Sequence, residues 1–287
     1  MRVTLKVKRQ ASAQSAPYWE AYTLEVAELT SVGQMLEELE QRAGRGELAD
    51  APAWECSCME ARCGACAMVI NGRPGLACDT FPVQEGCSEL KVEPLGTFPV
   101  VRDLIVDRGA VFDNLKRLGA WLSDEADPRA KGRELRTEAN GCLACGCCLE
   151  ACPNFSLGGS FTGAMAAAAA YGPLSAEPRG SEHRNAVRRQ HLGGFYEGCG
   201  KSLACEDVCP AHLPLQELIS RSNAAALWRR LGRPLPQVTP PAASRACALT
   251  PTCLLRAGKR RRGTSGGQSA CPLGIILYID TSNITFY

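Results

Sequence analysis

Histidine, long apolar runs, excess charge and nucleotide-binding glycine loops are what this sequence lacks. Only His183, His191 and His212 occur in 287 residues, and packing or surface positions rather than metal ligation are expected of each. No stretch approaches the roughly 20 apolar residues that span a bilayer as a helix, since the Ala-rich run at 163–171 and the run at 274–279 are far too short. A membrane role would therefore go through a partner. The opening MRVTLKVKRQ alternates apolar and charged residues without the unbroken apolar core of a signal peptide, which predicts reduced, cytosolic thiols. Lys and Arg total 32 against 30 for Asp and Glu, a net charge of +2, so no nucleic-acid partner is expected. No GxGxxG loop opens a Rossmann-like unit, and no acid–base set for substrate chemistry is evident. Arg184, Arg188 and Arg189 read as a solvated or partner-facing surface.

What the chain has in excess is cysteine, 17 in all. Disulfide-dense scaffolds are usually short and secreted, so metal ligation is the leading expectation.

Alternation predicts strands over 2–8 and 22–26 and a helix carrying Val32, Met35, Leu36 and Leu39, and AMVING over 67–72 reads as a strand entering a turn at Asn71-Gly72. Leu90 and Val92 mark another short strand, and Pro94 to Pro99 a boundary. From Val101 helical spacing is expected, with Leu104, Phe112, Leu115, Leu118 and Leu122 on apolar faces. A helix is expected around GAMAAAAAY. The organisation is then a first domain over 1–98, a mainly helical second domain over 99–235 and a non-globular tail over 236–287.

Cys58, Cys63, Cys66 and Cys78 stand as Cys-x4-Cys-x2-Cys followed, after eleven residues, by a fourth cysteine. The first spacings are those of plant-type [2Fe–2S] loops. A loop presents three thiolates to one cluster only by curling closely around it, which Gly64 and Ala65 suit. A four-thiolate zinc site is the alternative, although zinc sites typically pair two Cys-x2-Cys units.

Cys142, Cys145, Cys148 and Cys152-Pro153 match the run Cys-x2-Cys-x2-Cys-x3-Cys-Pro, whose fourth cysteine serves the other cluster of a pair. The mate is Cys199, Cys205 and Cys209-Pro210, with Ser202 where a further cysteine would stand. Crossed connectivity gives Cys142, Cys145, Cys148 and Cys209 to a [4Fe–4S] cluster, and Cys152, Cys199 and Cys205 to a cluster with three thiolates. Three soft ligands favour [3Fe–4S]; a [4Fe–4S] cluster completed by serine or water is the alternative. Cys56, Cys87, Cys147, Cys247, Cys253 and Cys271 stay outside these sets.

One [2Fe–2S] loop followed by a two-cluster module lacking one cysteine, with RCGACAMVINGRPGLAC, TFPVVRDLIVDR and CGCCLEACPN, resembles the iron–sulfur subunit family of succinate dehydrogenase and fumarate reductase over about residues 1–235. The resemblance implies an α+β chain: an N-terminal β-grasp [2Fe–2S] ferredoxin domain, then a mainly α-helical two-cluster ferredoxin domain. It further implies electron transfer from an FAD-containing flavoprotein subunit that interconverts succinate and fumarate, through [2Fe–2S], [4Fe–4S] and [3Fe–4S] clusters, to a quinone or a haem-bearing membrane anchor. The subunit would sit peripherally on the cytoplasmic side of the cell membrane, held by that anchor. An iron–sulfur subunit of another flavoprotein, or of a heterodisulfide-reductase-like complex, is the rival.

Ubiquinone-reducing members of that family place a Trp shortly after the Cys-Pro and a His after the first cysteine of the last motif. Leu157 and Gly200 stand here instead. The pattern is closer to the menaquinone-linked branch, whose anchor is a dihaem cytochrome b.

Overall fold

Alternation in the first strand sets up a sheet with one buried face. A computed structural model describes residues 1–127 and 129–228; the expected tail over 236–287 lies outside them. In β1 (Arg2–Arg9) Val3, Leu5 and Val7 are fully buried, as a half-buried strand of period two requires. β2 (Tyr18–Glu25) returns antiparallel to it from Arg2↔Glu25 to Arg9↔Tyr18. Helix α1 (Val32–Gly44) opens on a capping box in which Ser31 Oγ accepts from Gln34 N–H and Gln34 Oε1 accepts from Ser31 N–H. Its buried Val32, Met35, Leu36 and Leu39 join the sheet core.

After a long cysteine-bearing loop come β3 (Ala67–Ile70) and β4 (Arg73–Leu76), an antiparallel hairpin turning through Asn71 (φ 50°) and Gly72 (φ 80°), the left-handed pair that a tight hairpin demands. β5 (Glu89–Glu93) then inserts between β1, to which it is parallel, and β3, to which it is antiparallel. The sheet order is β2-β1-β5-β3-β4, a mixed β-grasp sheet. β4 carries Pro74 and sits at the sheet edge, where a strand tolerates a missing N–H; alternation alone marks no strand there.

Helical spacing from Val101 is not what forms. Residues 100–106 make a small hairpin, β6 (Val100–Arg102) and β7 (Ile105–Val106), turning at Asp103 with φ 47°. The cause is the Asp103 carboxylate. Buried, it accepts from Gln10 N–H at 2.8 Å and Ala53 N–H at 2.9 Å, and its Oδ1 lies 3.0 Å from Arg9 Nε. These tertiary partners override local helix preference. Helix begins only at α2 (Gly109–Leu118). Leu104 and Leu118 are buried as expected, whereas Phe112 and Leu122 are exposed.

The remaining elements are helical: α3 (Arg133–Ala139), α4 (Cys147–Glu150), α5 (Gly163–Ala176), α6 (Glu182–His191) with a π-helical extension Leu192–Tyr196, α7 (Ala204–Asp207) and α8 (Leu215–Leu227). α5 is buried almost all round, which marks a helix at the centre of its layer. Its alanines let α6 and α8 approach from two sides. The chain is thus α+β, and its sheet core also takes in Cys145, Cys147, Leu149 and Met165 from the helical region.

Candidate metal centres

The segment between α1 and β3 has no regular structure around Cys58 and Cys63, so its backbone amides are free to turn toward sulfur. Left-handed residues produce the curl: Met59 (φ 54°), Ala61 (φ 56°) and Gly64 (φ 72°). Non-glycine residues adopt this region at a cost. The return is sulfur solvation: Glu60 and Arg62 N–H donate to Cys58 Sγ at 3.3 Å, Ala61 N–H to Cys78 Sγ at 3.3 Å and Ala65 N–H to Cys63 Sγ at 3.5 Å. These amides pull the Cys58 thiol down to about 7. Cys66 immediately precedes β3, and Cys78 sits on the short 3-10 turn Ala77–Asp79 after β4, with the two sulfurs 3.4 Å apart. Burial pushes the Cys66 thiol up to about 12, so a buried metal must supply the positive charge that makes it a thiolate ligand.

Among the helices lie two small cavities of about 20 and 30 Å³. Cys142, Cys145, Cys148 and Cys209 line the first, with Met165 and Leu215. Cys152, Cys199 and Cys205 line the second, with Phe161 and Phe195, and Ser202 is the hydroxyl among them. The donor set is what distinguishes them, four cysteine sulfurs against three cysteine sulfurs and a hydroxyl. Short helices and left-handed turns supply these sulfurs. α4 carries Cys148 and runs on to Cys152, α7 carries Cys205 and runs on to Cys209, and Ala144, Lys201 and Leu203 take φ of 50° to 60°. Consecutive α5 residues serve both cavities, Met165 the first and Ala164 the second.

Charge control in the first cavity is uneven. A hydrogen bond from the Cys147 thiol, aided by amides and by the charge of Arg108, lowers Cys145 to about 7 despite burial. Burial holds the Cys142 and Cys148 thiols up, and burial likewise pushes Cys205 up to about 11. Apolar walls with soft donors and few dipoles suit an iron–sulfur cluster, whose iron charge and sulfur cage replace the missing water.

The loop at Gly64 and the loop at Cys145 touch. A Cβ on Gly64 would stand 2.8 Å from Cys145 Cβ and 2.9 Å from Leu143 O, so the first thiolate set and the second have no room for a side chain between them. Glu150 makes a separate tie, from α4 to the segment after β5, by accepting from Gly96 and Thr97 N–H at 3.0 and 2.8 Å. Arg108 joins the two loops themselves, through the carbonyls of Gly64, Ala65 and Cys145. No sequence motif gives Arg108 this role, because its partners lie about forty residues away on either side.

The histidines His183 and His191 have partners other than sulfur. His191 is fully buried with Nε2 2.8 Å from Asn223 Oδ1, and His183 pairs with Glu177 at 2.8 Å. Arg184 departs from the surface expected of it: it is buried, donating to Leu174 O and Ala225 O at 3.1 Å. Those are orphan carbonyls in the last turns of α5 and α8, which a cation satisfies well. Among the described residues no helix is long and apolar enough to cross a membrane.

Comparison with known proteins agrees with this layout. Residues 4–113 match the 2Fe-2S iron-sulfur cluster binding domain and residues 131–214 the 4Fe-4S dicluster domain. The succinate dehydrogenase iron-sulfur subunit of Bacillus subtilis is 35% identical over 230 residues, covering 76% of this chain and 89% of that protein. The fumarate reductase iron-sulfur subunit of Wolinella succinogenes is 30% identical over 222 residues, covering 73% and 90%. A chain of the Mycobacterium smegmatis Sdh1 complex shares the fold, with a TM-score of 0.61 and 23% identity over 78% of this chain and 95% of that one.

Proposed function

The chain belongs to the iron–sulfur subunit family of succinate dehydrogenase and fumarate reductase, and from that premise we propose that its eleven motif cysteines hold three clusters in a line between a flavoprotein and a membrane anchor. Cys58, Cys63, Cys66 and Cys78 would bind [2Fe–2S], Cys142, Cys145, Cys148 and Cys209 [4Fe–4S], and Cys152, Cys199 and Cys205 [3Fe–4S]. The observation that carries this is the grouping of sulfurs into a curled loop and two apolar cavities, with the loop in contact with the first cavity's Cys145. Bound there, the clusters supply one-electron redox chemistry. The protein supplies spacing, exclusion of water and amide hydrogen bonds to sulfur.

The two halves, 1–98 and 99–235, then divide the work. The first would take electrons from an FAD-containing subunit where succinate and fumarate interconvert. The second would face a membrane anchor that holds the subunit at the cytoplasmic side of the cell membrane. The menaquinone-linked anchor with haem is supported by Leu157 and Gly200, which stand where ubiquinone-reducing members place a Trp and a His.

Low-temperature EPR of the anaerobically purified complex tests the cluster set. An oxidised-state [3Fe–4S] signal, joined on stepwise reduction by [2Fe–2S] and [4Fe–4S] signals, is expected. Two [4Fe–4S] signals without [3Fe–4S] would mean that Ser202 or water completes the third site. Haem bands in the purified complex and faster turnover with a menaquinone analogue than with a ubiquinone analogue are the outcomes expected of the anchor; their reverse removes the anchor from the reading.

A further inference from the structure

Arg108 precedes α2, yet the helix is not capped by its side chain; Asp107 Oδ1 accepts the Gly109 N–H at 2.8 Å instead. The guanidinium is turned inward, 16% exposed. Its Nη1 donates to Gly64 O at 2.8 Å and Cys145 O at 3.4 Å, and its Nη2 to Ala65 O at 3.2 Å and to the Glu55 carboxylate. Gly64 and Ala65 lie between Cys63 and Cys66, and Cys145 is the second cysteine of its own motif. One planar fork therefore grips both cysteine loops at the point where they touch. Three of its partners are neutral carbonyls. The carboxylate of Glu55 is 43% exposed, so solvent weakens its hold on the guanidinium charge.

We propose that Arg108 is a positioning residue shared by the first two clusters, a fixed cation that locks their loops together and favours the reduced state of both while leaving the third centre unaffected. The inference rests on the ligand sets proposed above. Adding an electron makes a cluster more negative, so a cation held beside its ligands stabilises the reduced form, and the effect fades with distance and screening. Arg108 lines neither helical cavity, but its side chain donates to the carbonyl of Cys145 at the first, and none of its side-chain partners belongs to the residues lining the cavity of Cys152, Cys199 and Cys205.

The test is an EPR-monitored redox titration of the cluster-loaded complex carrying Arg108→Gln, Arg108→Lys or Glu55→Gln. Arg108→Gln is expected to make reduction of [2Fe–2S] and [4Fe–4S] at least tenfold less favourable, about 59 mV for a one-electron couple, with [3Fe–4S] unmoved. Arg108→Lys keeps the charge and recovers most of that shift. Glu55→Gln removes the opposing carboxylate and moves the same two potentials upward. Potentials that stay put in Arg108→Gln, or a shift shared equally by all three centres, overturn the proposal. Should Arg108→Gln fail to load clusters, Glu55→Gln decides alone, because it leaves the carbonyl contacts intact; an unchanged or lowered pair of potentials there overturns it. Absence of the three signals from the unsubstituted complex would instead strike at the ligand sets.

Discussion

Single residues decide whether the sulfur loops close. Replacing Gly64 with alanine adds a Cβ 2.8 Å from that of Cys145 at a backbone φ of 72°, which should cost about 1–3 kcal/mol in strain alone. A lower Tm for the cluster-loaded protein than for the unsubstituted one is the expected reading. Cys209→Ala leaves three thiolates in the first helical cavity and should abolish the [4Fe–4S] EPR signal while the [2Fe–2S] signal survives; an unchanged [4Fe–4S] spectrum would reject the crossed ligand set. Asp103→Asn strips a buried carboxylate from Arg9, itself 4% exposed. Glu20 and Asp50 still pair with the guanidinium at 2.6 and 2.9 Å, so the cost should be about 1–3 kcal/mol, that of a weakened buried hydrogen-bond set, read as a fall in urea midpoint. His191 gives a pH signature. Burial lowers its proton affinity below the ordinary value near 6.5, so the unfolded chain binds the proton more readily. Stability should therefore hold above about pH 6.5 and decline as pH falls below it. His191→Gln should flatten that decline in urea titrations between about pH 5.5 and 7.5.

Elements differ in how much of themselves they declare in sequence. The cysteine runs declare most, because cluster ligation is set by short spacings along the chain, and the strands around Leu5, Tyr22 and Val92 follow from alternation. The β4 edge strand hides behind Pro74. The hairpin at 100–106 hides behind apolar spacing that suits a helix, because the partner that bends it, Arg9, lies nearly a hundred residues earlier. Arg108 is invisible for the same reason: a side chain's destination across a fold has no local signal. α5 reads as helix from composition alone, but only its surroundings show that nearly every face is packed. Ala167 and Ala170 are fully buried. Enlarging either to leucine should cost about 1–3 kcal/mol through overpacking, measured by chemical unfolding. The change should disturb the α6 and α8 contacts without touching the [2Fe–2S] signal.

At the scale of the whole molecule the two halves depend on metal unequally. The sheet core holds Cys66, Cys78, Cys145 and Cys147 among many strand and α1 side chains, whereas the smaller core around α5 and α8 buries Cys205 and is flanked by Cys142, Cys148, Cys152, Cys199 and Cys209. Removing the clusters should therefore release the helices first. Hydrogen exchange on the chelated protein is expected to show fast amides over 131–228 while 2–9 and 89–93 stay protected; equal loss in both would refute the asymmetry. The run of alanines in α5 has one more consequence. Methyl groups are short and carry no dipole to swing, so charge that arrives beside Ala164 or Met165 meets little that must turn before it can move on. With clusters held in the two cavities as proposed, these mute side chains on the central helix would leave little protein dipole to reorient as an electron passes between them.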